Sequence, residues 1–203
     1  MYDTTQNNFV YRSKYSETTS IAKPSAVSST TDEAQVLNAT LSETEAIRKE
    51  SSIEMVARWF LNKSSMSNKK LQKICYYAYA WFIEFYNDLE DCTKENEANI
   101  NSICSDSFQA WIHGPVCPNL YRKYKEYGWL DIPKSDTKPN VKEDLEDFLQ
   151  QVWDAYGSYS ADELEGISHS EDPWILARKG LPAGEACVND ISKYDILEYY
   201  SKL

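Results

Sequence analysis

The stretch Ser67-Asn-Lys-Lys-Leu-Gln-Lys-Ile-Cys-Tyr-Tyr-Ala-Tyr-Ala-Trp-Phe-Ile-Glu-Phe85 decides the fold. Leu71, Ile74, Cys75, Ala78, Trp81, Phe82 and Phe85 recur at steps of three and four, so on an α-helix they share one face. Tyr76, Tyr77 and Tyr79 fall between them and widen the apolar surface almost all the way round. A helix that is apolar on every side is one that other elements surround. This helix is therefore expected in the middle of a bundle. Ser67 stands where an N-cap is wanted, its hydroxyl placed to accept from a free backbone N–H of the first turn.

Working outward, the helical period returns. Residues 52–61 read as a short helix upstream, and residues 88–105, acidic and polar, read as a loop with room for a short β piece near residues 100–110. After Ser107–His113, Gly114-Pro115 is expected to end regular structure, because proline restricts the residue before it and glycine tolerates unusual dihedrals. Pro118 suits the first position of a helix that runs to Tyr127 and stops at Gly128, with Trp129-Leu130 beginning a linking loop. Val141, Leu145, Phe148, Leu149, Val152, Trp153 and Tyr156 form a further stripe, ending at Gly157. Trp81 and Trp153 are expected in the core, and Trp111 and Trp174 flank turns. Ser160 and Glu163 make a Ser-x-x-Glu capping box. Asp172-Pro173 opens another helix that ends at Gly180, and Ser192 with Asp195 opens the last. The fold class is mainly α: a single compact multi-helix domain of six or seven helices over residues 51–203, with an N-terminal extension over residues 1–50. Residues 1–31 are rich in Ser, Thr, Asn and Tyr and lack hydrophobic periodicity. Residues 33–49 can make one helix, with Val36, Leu37, Leu41 and Ile47 in its apolar content, and such a helix is marginal without something to pack on.

Six Trp and fifteen Tyr among 203 residues are enough to build a core around large rings. The formal net charge of -11 disfavours attraction to nucleic acid or anionic lipid by the molecule as a whole. Arg122, Lys123 and Lys125 form the densest basic patch and read as the wet face of a helix. The five cysteines, Cys75, Cys92, Cys104, Cys117 and Cys187, are odd in number and lack the spacing of a metal knuckle or redox motif. Residues 1–20 lack the apolar segment of a signal peptide, and no apolar run is long enough to span a bilayer. A cytoplasmic protein without membrane contact, metal or cofactor is expected.

Only two histidines exist, so catalytic constellations are few. His113 and Cys117 are four apart, but Gly114-Pro115 breaks the helix that would juxtapose them, and His113 is expected in a tight turn bonded to nearby backbone. His169-Ser170-Glu171 contains the residue types of a hydrolase triad, yet sequence neighbours cannot align as nucleophile, base and orienter without an elbow and oxyanion hole. A polar turn between two helices is the expectation. No catalytic residue is assigned, and the chain is not expected to be an enzyme.

Several segments together resemble the SocA/Panacea antitoxin domain family, which includes phage-associated proteins of the GepA type. They are residues 71–81, Phe108-Gln-Ala-Trp-Ile-His-Gly-Pro-Val116 with Pro118 and Leu120-Tyr121, Val152-Trp-Asp-Ala-Tyr-Gly157, Ser160-Ala-Asp-Glu-Leu164, and His169-Ser-Glu-Asp-Pro-Trp174 with Ala177-Arg178. Ser168 stands where the family expects threonine, and residues 1–50 fall outside the match. The resemblance implies a compact helical domain that neutralises a co-encoded protein toxin by binding it directly, as the antitoxin of a type II toxin–antitoxin system. It also leaves open an adaptor that delivers a toxin to a protease, or a phage or mobile-element interaction protein with a non-toxin partner. The motif positions carried over as structural or partner-binding are Trp111, His113, Gly114, Pro115, Trp153, His169, Ser170, Glu171, Pro173 and Trp174. Val36, Leu37, Leu41 and Ile47 form the candidate toxin-binding segment.

Overall fold

The computed structural model of the chain describes residues 53–203. The segment carrying Val36, Leu37, Leu41 and Ile47 lies outside these residues. In chain order the elements are α1 (Ile53–Lys63), β1 (Met66–Ser67), α2 (Asn68–Phe85), β2 (Gln109–Trp111), β3 (Gly114–Val116), α3 (Pro118–Tyr124), β4 (Asp131–Ile132), α4 (Glu143–Tyr156), α5 (Ala161–His169), α6 (Asp172–Ala177) and α7 (Lys193–Tyr200). The described residues thus hold seven α-helices and two small two-stranded sheets, the mainly α fold that the periodicity predicts.

α2 is the axis. All ten residues from 71 to 80 are buried, the three tyrosines included. α1, α3, α4, α5 and α7 all pack on it. Burying a large apolar side chain such as Leu71 or Ile74 is worth roughly 1.5–3 kcal/mol, so a helix buried on every side concentrates the stability of the fold. Its start is set locally, since Ser67 Oγ accepts from the Lys70 N–H at 3.3 Å. The capping box at α5 also forms, with Ser160 N–H donating to Glu163 and Glu163 N–H donating to Ser160 Oγ.

Gly114-Pro115 does not end regular structure; it begins a strand. β2 and β3 pair antiparallel with Ala110 opposite Pro115, and Ile112 and His113 form the two-residue connection. Proline is admitted there because Ala110 turns its hydrogen-bonding groups the other way. Its N–H donates to the Asn189 carbonyl at 2.9 Å and its carbonyl accepts from Arg178, so the pair needs no N–H from Pro115. The strands therefore lie at 109–111 and 114–116, the first of them overlapping the end of the 100–110 window expected for a β piece. A second pairing, β1 with β4, ties residues 131–132 to the start of α2.

Two further departures have local causes. The acidic loop at 88–105 is anchored: Ile100, Ile103 and Cys104 are buried, and Glu97 accepts from Ser192 Oγ at 2.9 Å and from the Lys193 N–H at 2.6 Å. Trp153 is half-buried rather than core, stacked on Phe60 at 6.3 Å on the rim of the bundle. Gly157 closes α4 in right-handed conformation at φ -64°, and a Cβ there would come within 2.7 Å of the Trp153 ring. Glycine is needed here for room, not for a left-handed cap.

Candidate functional site

Nine of the ten motif residues come together where the β2–β3 hairpin leans on the elbow between α5 and α6. Trp111, His113, Gly114 and Pro115 come from the hairpin, and His169, Ser170, Glu171, Pro173 and Trp174 from the elbow. Trp153 is apart, near Phe60 and Lys70.

The floor of this cluster is Lys73, which α2 buries to 1 % exposure. Its Nζ donates to the Pro115 carbonyl at 3.0 Å. Burial pushes the ammonium down to about 7, because the charged form loses its hydration. Gly114 sits over this lysine at φ +90°, and a Cβ there would stand 2.7 Å from both Lys73 Cε and Ser168 Oγ. Glycine is thus required twice, for the left-handed dihedral and for the space.

Above the floor lies a charged layer. Lys69 pairs with Asp162 at 2.7 Å and with Glu165. Glu165 Oε1 is 3.0 Å from His113 Nδ1 and 3.9 Å from His169 Nε2. Burial alone would raise the Glu165 carboxyl, but Lys69 and His113 beside it outweigh that and hold it below the usual range. Burial likewise works to lower Lys69, and its bonds to Asp162 and Glu165 win and raise it. His113 is exposed and its ring meets a carboxylate, not the backbone expected from its place in a turn. His169 is pushed down by burial and lies flat on Trp174, with ring centroids 4.1 Å apart.

Trp174 and Arg178 lock the hairpin to the elbow. The Trp174 indole N–H donates to the Trp111 carbonyl at 3.0 Å. Arg178, 2 % exposed, lies over the Trp174 ring and donates to the carbonyls of Ala110 at 3.0 Å and Pro182 at 2.6 Å, and to that of Glu185. Arg178 belongs to one of the motif segments, but nothing local in the sequence marks it as a site residue; buried arginine is rare, and only its surroundings reveal the role.

The three residues of the triad look-alike diverge. Ser170 caps α5, its hydroxyl donating to the Ile167 carbonyl at 2.7 Å. Glu171 turns into the core and accepts from the Tyr200 hydroxyl at 3.0 Å, and burial raises its carboxyl to about 8. The Tyr77 hydroxyl neighbours that carboxyl without meeting hydrogen-bond geometry. Pro173 begins α6, where its missing N–H costs nothing. Cys117 is fully buried at the start of α3, with its backbone N–H donating to Gln72, while His113 faces Glu165 in solvent. Burial raises the thiols of Cys75, Cys104 and Cys117, which disfavours the nucleophilic thiolate.

Chemically, the cluster is a lock of internal donors and acceptors with a small ionic surface. Two surface depressions of about 510 and 300 Å³ are lined by other residues, around Tyr86 and Leu197 and around Asp106 and Cys117. Among the described residues no three His, Cys, Asp or Glu gather as a metal site, and no helix is long and apolar enough to cross a membrane. The cluster is rimmed by apolar side chains instead: Ile112 at the hairpin turn, and Ile175 and Leu176 on the outer face of α6, are all exposed.

A family model described as Antitoxin SocA-like, Panacea domain, matches residues 71–175, more than half of the chain and the span from the central helix to α6. No curated protein and no solved structure matches the chain. The chain belongs to this antitoxin-like Panacea family.

Proposed function

We propose that this Panacea-family chain is the antitoxin of a type II toxin–antitoxin pair, and that it neutralises a co-encoded protein toxin by direct contact rather than by catalysis. The observation that carries the reading is the fate of the motif residues. Trp174, Ser170, Glu171 and the Pro115 carbonyl are engaged in bonds within the protein, and what they hold out to solvent is an apolar rim of Ile112, Ile175 and Leu176 beside the His113–Glu165 pair. Apolar side chains with a polar border are the anatomy of a protein-binding surface. The net charge of -11 suits a basic toxin, since complementary charge speeds encounter and selects partner. In this reading Val36, Leu37, Leu41 and Ile47 supply a second contact that wraps the toxin.

The test is to express the neighbouring open reading frame alone and together with this chain. Growth arrest relieved by co-expression is the expected result, and arrest that co-expression leaves unchanged overturns the reading. I175S/L176S should abolish the rescue while lowering the urea midpoint only slightly, because about half of each side chain is exposed. Toxin half-life in the same cells separates the mechanisms: an unchanged half-life fits occlusion, and a shortened one fits an adaptor that hands the toxin to a protease.

A further inference from the structure

A second surface lies on α3 and the turn that follows it. Trp129 is 99 % exposed and Leu130 74 %, and Tyr121 and Tyr127 are each more than a third exposed. Single exposed apolar residues are ordinary, but Tyr127, Trp129 and Leu130 stand within four residues of one another and ask for a cover, whereas the Tyr121 ring packs edge-on to Trp111. The patch is held in place: Gly128 turns the chain at φ +55°, the Leu130 N–H donates to the Tyr127 carbonyl at 2.9 Å, and β4 then pairs with β1. Arg122, Lys123 and Lys125 are interleaved with the rings and all exposed. Glu126 and Asp131 share the stretch and, with Lys134, leave it net basic on a chain whose overall charge is -11.

The path of the chain points to the cover. Residue 53 is buried at the start of α1, and Glu54 pairs with Lys123 of α3. The described fold therefore begins beside α3. Three residues, 50–52, separate the segment 33–49 from α1 and span at most about 10 Å. So short a tether gives the segment a high effective concentration at the face. Coiled at 3.6 residues per turn, the segment would place Val36, Leu37, Leu41 and Ile47 on one side. Its charge is of the opposite sign, with Glu33, Glu43 and Glu45 against Arg48 and Lys49, and Asp32 and Glu50 flank it.

We infer that in the partner-free chain residues 33–49 dock on the face of α3 and Trp129-Leu130, apolar side against the rings and acidic side chains toward Arg122 and Lys125. The inference concerns the chain by itself and stands or falls without the toxin. It is tested by hydrogen exchange of the full 203-residue protein, with no partner present, at two protein concentrations. Amides of residues 33–49 are expected to exchange at least about tenfold more slowly in the wild type than in W129S/L130S. L37S/L41S should speed them in the same way, and added salt should weaken the protection. Three results overturn the inference: fast exchange of 33–49 in the wild type, protection that survives W129S/L130S, and protection that grows with protein concentration, which would mark a second copy as the cover. Within residues 53–203 the Trp129 and Leu130 side chains are exposed, so W129S/L130S should cost the fold no more than the docking it removes, and the variant remains folded and readable.

Discussion

Trp174 and Arg178 at the elbow, and Trp129 and Arg122 on the α3 side, are the same two residue types put to opposite uses. Trp174 is buried, with its N–H on the Trp111 carbonyl, His169 stacked on its ring and Arg178 over it. Trp129 is wholly in water, and Arg122 reaches only to Asn119 on the surface of its own helix. The difference lies in what the backbone offers. At the elbow two reversals of the chain turn the carbonyls of Ala110, Pro115 and Pro182 away from any ladder, and a carbonyl shut off from water must find a donor. Arg178 and Lys73 supply those donors, and Trp174 adds its own to the Trp111 carbonyl. On the α3 side the helix and the β1–β4 pair satisfy their own groups, so tryptophan and arginine are left to face outward.

The comparison breaks most visibly at Arg178. R178M keeps the aliphatic bulk but strands the buried Ala110 carbonyl and frees the loop that ends on the Pro182 and Glu185 carbonyls, and should cost on the order of 3 kcal/mol in urea unfolding. A loss well under 1 kcal/mol would mean that these bonds do not hold the elbow. G114A comes next, at about 2 kcal/mol, because alanine brings both an unfavourable dihedral and a clash with Lys73 and Ser168. The double variant G114A/K73M should recover part of that loss if the clash with the lysine contributes.

The two buried titrating groups sharpen the comparison through pH. Glu171 titrates at about 8 in the fold against 4.5 ordinarily, so the folded form holds a proton that the unfolded chain releases. Its contribution is greatest below about 4.5 and declines as pH rises through 8. Lys73 runs the other way. At about 7 against 10.5, the folded form gives up a proton that the unfolded chain keeps, and stability rises from pH 7 toward 10.5. Together they place a minimum between pH 7 and 8. E171Q should remove the descent and K73M the ascent, read as urea midpoints across the pH range. A profile unchanged by either substitution would show that the elbow tolerates both charged forms. The smallest effect belongs to the other region: W129S should cost no more than the docking of residues 33–49 that it removes, at most about 1.4 kcal/mol for a tenfold loss of protection.

What could be read in advance follows the range of the forces involved. The stripe on α2, the Ser67 cap, the Ser160–Glu163 box and Pro118 at the head of α3 obey rules that act over three or four residues, and all are in place. Gly114-Pro115 was legible as special but not as a strand, because its admission to the hairpin depends on Arg178 and Asn189, more than sixty residues away. The partner of His113 is Glu165, 52 residues on, and no local pattern marks it. Lys73 lies three residues from Lys70 on one helix and looks alike in sequence; only the fold puts one beneath Gly114 and the other at the surface with its Nζ on the Gly157 carbonyl. Trp129, which opens what reads as an ordinary linking loop, gives no sign of standing clear of the core.

That solitary position gives the protein an optical property. Five of the six tryptophans are buried or half-buried, so wherever the sixth is left uncovered a collisional quencher such as iodide should reach it first and remove the red edge of the emission. Whatever comes to rest over that indole, from within the chain or from outside it, will shift the spectrum to the blue and shield it from the quencher, with no dye attached.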